Sequence, residues 1–144
     1  MNYLILNILT IGLLFASTPG FAQEHHHGHN GSDKATQPII EIMRGMNTNL
    51  NKLTDAVILE DFSLIASSAH DIANHPGIDQ EDLNQLFERL GNRKQAFISC
   101  DSAVHNLAAD ISKAAEAQNM DLVLEKYAAM LAKTVECHQK YRLK

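Results

Sequence analysis

The segment Leu131-Ala-Lys-Thr-Val-Glu-Cys-His-Gln-Lys-Tyr-Arg142 decides how this chain reads. Upstream of its Cys-His pair, Met120, Val123, Tyr127, Met130 and Thr134 recur at alternating spacings of three and four. That pattern is one face of an α-helix. Cys137, His138 and Tyr141 continue the face, which predicts a sulfur and an imidazole turned toward the neighbouring helices. A buried imidazole needs a partner, and a metal ion is one of few partners that uses Cys and His together.

The same periodicity recurs in the preceding segments. A first helix is predicted from Pro38 to Ile58, with Thr36 as a candidate cap and Pro at the first helical position. Its stripe is Ile39, Ile42, Met43, Met46, Leu50, Leu53 and Val57, which turns Met43 and Met46 inward. A second helix spans Asp61 to Asn74, with Asp61 as cap and His75-Pro76-Gly77 as terminator. Asp79 caps the third segment, where Leu83, Leu86, Phe87 and Leu90 form an amphipathic patch and Gly91 marks a kink. The helix resumes at Asn92 and runs to Ala117, burying Phe97, Cys100, Val104, Leu107, Ile111 and Ala114. Gln118-Asn119 is the last turn, and the final helix runs from Met120 to Arg142. Short connections make neighbouring helices antiparallel, so residues 38–144 are expected to form an all-α, up-down-up-down four-helix bundle. His70 reads as exposed, His75 as a helix-end residue suited to the dipole, and His105 as a boundary residue; each is taken as structural.

A c-type haem site is Cys-x-x-Cys-His, in which two thiols bond the haem and the His ligates iron. Here the register is Thr134-Val-Glu-Cys137-His138, with Thr in place of the first Cys. The ending His138-Gln-Lys-Tyr-Arg142 resembles the C-terminus of the cytochrome b562 family, periplasmic four-helix haem proteins related to the cytochromes c-prime. Met43-Arg-Gly-Met-Asn-Thr-Asn-Leu50 resembles the segment that carries the family's ligand Met, with Met43 in the ligand register. The resemblance covers roughly residues 38 to 142, and its two ends carry the specific motifs. It implies haem held by Met43 and His138, either b-type or attached through one thioether bond to Cys137. It further implies electron transfer with a redox partner, and a homodimer.

The first 22 residues carry no charged side chain, and Leu4 to Phe15 is an apolar run of signal-peptide length. Gly20-Phe21-Ala22 supplies the small residues a signal peptidase reads, so cleavage after Ala22 and a periplasmic location are expected. No later segment reaches membrane-spanning length, so no membrane association is expected after cleavage. A net charge of −5 without a basic patch argues against nucleic acid. Residues 23–37 are polar and without apolar periodicity, a mobile tail. Within it His25, His26, His27 and His29 are spaced to collect copper, zinc or nickel. The chain has no Gly-rich phosphate loop, no Gly-x-Ser-x-Gly and no inward carboxylate pair, and nothing orders a Cys-His-Asn triad, so it does not read as an enzyme.

A hairpin centred between Gln118 and Asn119 sets Cys137 level with Cys100. Both lie on inward faces, which leaves three readings. The first is the haem protein. The second is a haem-free copper protein, helped by the His-rich tail, in which Cys100, Cys137, His138 and Met43 or Met46 hold Cu(I) for sequestration or for delivery between a metal donor and an acceptor. The third is a Cys100–Cys137 disulfide in a binding module.

Overall fold

A computed structural model describes residues 36–141. The expected signal segment, residues 1–22, and the His-rich run 25–29 lie outside the described residues. Five α-helices follow a two-residue strand: β1 (Thr36–Gln37), α1 (Ile39–Ile58), α2 (Phe62–Ala73), β2 (Gly77–Ile78), α3 (Gln80–Leu90), α4 (Lys94–Glu116) and α5 (Met120–Tyr141). A 3₁₀ turn, Gly91–Arg93, joins α3 to α4. The fold is all-α, and α1, α2, α4 and α5 make a four-helix bundle. Among the described residues no helix is long and apolar enough to cross a membrane.

Local chemistry accounts for the breaks. Asp61 accepts a hydrogen bond from the Leu64 amide at 3.0 Å and caps α2. Gly91 stands at φ 53°, in the left-handed region, where a residue without Cβ turns the chain from α3 into α4. Asn119 Oδ1 accepts from the Leu122 amide at 3.0 Å and starts α5. Thr36 pairs in parallel with Gly77 and Gln37 with Ile78, at the end of the segment expected to be a tail. Its last two residues are held against the α2–α3 connection, where each pairing satisfies backbone groups that a tail would leave to water.

The core is one cluster drawn from four helices. Leu53 and Ala56 come from α1, Ile65, Ala69 and Ile72 from α2, Val104, Ala108 and Ile111 from α4, and Val123 and Met130 from α5. Close packing is tightest for α1 on α2, α2 on α4, and α4 on α5. Ser112 Oγ donates to the Ala66 carbonyl at 3.0 Å, so the buried hydroxyl between α4 and α2 is satisfied. Between α1 and α5, Thr54 Oγ1 and Tyr127 Oη share a hydrogen bond of 2.7 Å. Leu86 and Leu90 of α3 are buried outside the main cluster, as is Ile42. Asp82 of α3 accepts from the Ile39 amide at 2.7 Å, placing a carboxylate at the N-terminus of α1.

Candidate functional site

The C-terminal half of α5 is fixed to the first half of α4. Cys100 and Cys137 form a disulfide with Cα atoms 6.0 Å apart. Tyr141 stacks edge-on against Phe97, with ring centroids 5.6 Å apart. Arg93 Nη1 donates to the Lys140 carbonyl at 3.3 Å. The disulfide corrects the thiolate roles given to both cysteines. Neither sulfur is a thiolate in this state, so the Cu(I) set of Cys100, Cys137, His138 and Met43 or Met46 loses its two charged donors. The thioether bond from Cys137 to haem is lost for the same reason. The sulfur is already bonded to its neighbour on α4.

His138 is exposed, which corrects the inward place predicted for it. Cys137 takes the inward position needed to reach Cys100, and the next residue is rotated about 100° away along the helix. Met43 is likewise displaced, with 38 % of its surface exposed, while Ile42 takes the inward place at 2 %. The predicted α1 stripe is too wide an arc for every member to face the core. Met46 is half-buried against the core cluster.

Exposed apolar groups gather near both residues in sequence. Ile40, one turn before Met43, is 55 % exposed, and Val135, one turn before His138, is 55 % exposed. Glu136 is hydrogen-bonded to Lys133 and Lys140, each at 2.6 Å. The Lys133 ammonium, then that of Lys140, holds its carboxyl down to about 2.

A second constellation joins the α2–α3 connection to α4. His75 Nε2 and His105 Nε2 lie 3.1 Å apart. His75 Nδ1 meets the Pro76 carbonyl at 2.5 Å, and His105 Nδ1 meets the Ala73 carbonyl at 3.0 Å. Asp101 Oδ1 is 3.6 Å from His105 Nε2. The sequence carries no signal for this meeting, because the two histidines are separated by a loop and a kinked helix. His70 is exposed, as expected.

Among the described residues, no group of three or more His, Cys, Asp and Glu side chains is arranged around a metal position. Comparison with known proteins finds no matching family model, no matching curated protein and no matching solved structure.

Proposed function

We propose that this chain is an exported electron-transfer protein whose bundle runs up-down-up-down and holds b-type haem along the seam between α1 and α5, with Met43 and His138 as axial ligands. The observation that carries the reading is a register. Thr54 on α1 is hydrogen-bonded to Tyr127 on α5. Met43 is eleven positions before Thr54, and His138 is eleven positions after Tyr127. Eleven residues make about three helical turns with a residual of roughly 20°. In the antiparallel arrangement proposed here, that register would set Met43 and His138 at about one level along α1 and α5.

The residues fit the group. A thioether and an imidazole are an established pair of haem donors. Both side chains are exposed, and Ile40 and Val135 offer uncovered apolar surface within a turn of them. A large flat apolar cofactor covers such surface favourably. Cys100–Cys137 fixes the backbone beside His138, so the disulfide supports the ligand position and leaves attachment non-covalent. The disulfide also favours an oxidising compartment such as the periplasm, in line with a leader cleaved after Ala22. When bound, haem supplies a one-electron couple, and this chain's part is to hold the iron ligands and shield the ring.

Haem titration of the purified full chain tests the reading. Saturation at one haem per chain is expected, with affinity lowered at least about tenfold by His138→Ala and by Met43→Ala. Unchanged affinity in both variants would discard the named ligands.

A further inference from the structure

We propose that the end of the bundle carrying the α1–α2 and α4–α5 turns is a docking surface for a partner protein that presents an apolar segment flanked by Lys or Arg. The two turns are built alike. The amides of Glu60 and Asp61 donate to the carbonyls of Val57 and Ala56 at 3.2 and 2.9 Å. Those of Gln118 and Asn119 donate to Ala115 and Ala114 at 2.9 and 3.0 Å. Glu60 and Gln118 both take the left-handed conformation, at φ 54° and 52°. Asp61 and Asn119 then each accept from the amide three residues on, at 3.0 Å. Phe62, Ser63, Glu116 and Gln118 border one hollow, so both turns lie at the same end.

The likeness isolates what differs. The second turn is made with Glu116-Ala117, so this backbone does not require large apolar side chains there. At the same two places the first turn carries Ile58 and Leu59, each 74 % exposed. Leu124, 47 % exposed, extends the surface. It stands one turn before Tyr127 on α5, and Ile58 stands one turn after Thr54, the hydrogen-bond partner of Tyr127 on α1. Single exposed apolar residues are ordinary, whereas a cluster that the local backbone does not need marks a surface for contact.

Charge selects the partner. Residues 55–66 and 114–125 include no Lys, Arg or His, and each stretch carries three carboxylates. Glu125 pairs with Lys126, just beyond the second stretch, at 2.8 Å. An apolar cluster in an acidic rim repels a second copy of the same end and repels an anionic bilayer. It complements an apolar segment with a basic border. Ile58, Leu59 and Leu124 take no part in the haem proposal, so this surface stands apart from it.

The experiment uses nitrogen-15-labelled chain beginning at Gln23 and two probes. One is a helical peptide with Leu on one face and Lys on the other, and the second is the same peptide with Glu in place of Lys. The Lys peptide should move amide resonances within 55–66 and 114–125, and the Glu peptide should not. Ile58→Ser/Leu59→Ser changes only exposed side chains and should lower affinity for the Lys peptide at least about tenfold. Glu60→Lys/Glu116→Lys should also weaken binding, by a factor that shrinks in high salt. Ala132→Ser, on an exposed part of α5 away from the turns, should leave it unchanged. Equal affinity in Ile58→Ser/Leu59→Ser, equal binding of the Glu peptide, or resonance shifts spread over the rest of the bundle would overturn the surface. Sedimentation with anionic phospholipid vesicles, lost in Ile58→Ser/Leu59→Ser, would overturn it in favour of a bilayer. Concentration-dependent dimerisation lost in the same variant would overturn it in favour of a second copy.

Discussion

Opening the Cys100–Cys137 disulfide should destabilise the bundle more than any single exposed substitution. The bridged residues are 37 positions apart. Loop-closure entropy for that separation corresponds to about 3.8 kcal/mol at 25 °C. For a bundle of this size the unfolding entropy is roughly 0.22 kcal/mol per kelvin, so the melting temperature should fall by about 17 °C. Circular dichroism melts of the oxidised protein, the dithiothreitol-reduced protein and the Cys100→Ser/Cys137→Ser variant provide the measurement. The reduced and serine forms should melt together, well below the oxidised form. Native protein should react with no thiol reagent before reduction. A shift below about 3 °C in both perturbed forms would refute the reasoning, since the bond would then restrict little of the unfolded chain.

The same serine pair should still bind haem, read by titration, because neither sulfur is a proposed ligand; complete loss would show that the disulfide is needed to keep His138 in place. Tyr127→Phe removes the hydrogen bond to Thr54 and should lower stability by about 1 kcal/mol in urea unfolding. Gly91→Ala meets no atom within 4 Å but forces an L side chain into positive φ, and should cost about 1 kcal/mol in the same assay. Glu136 should titrate near 2 in carboxyl NMR and move upward in high salt. Its folded value lies below the unfolded one, so its small, solvent-screened contribution is present above about pH 4.5 and fades as pH falls toward 2.

The nearness of Cys100 to Cys137 was legible because one turn, Gln118-Asn119, sets the register of the last hairpin, but the sequence left the disulfide as one of three readings. The Gly91 break was legible because a glycine stands between two apolar patches, and the structure gives it a positive φ. Burial of Met43 and His138 was not legible from periodicity. At either end of a stripe, adjacent apolar or ligand-type residues differ by about 100°, and only packing decides which one turns inward. Ile42 and Cys137 took those places. The His75–His105 pair was hidden for another reason. A loop residue has no face, so no periodicity assigns its neighbour on α4. The exposed apolar residues Ile40 and Val135 were likewise invisible until the helices were packed.

The absorption spectrum of the purified protein without residues 1–22 tests the central claim most directly, recorded as isolated, after haem addition and after dithionite reduction. Haem held by Met43 and His138 predicts a Soret band at one haem per chain, a sharp low-spin reduced spectrum, and full extraction of the haem by acidified acetone. No Soret band, either as isolated or after haem addition, would contradict it.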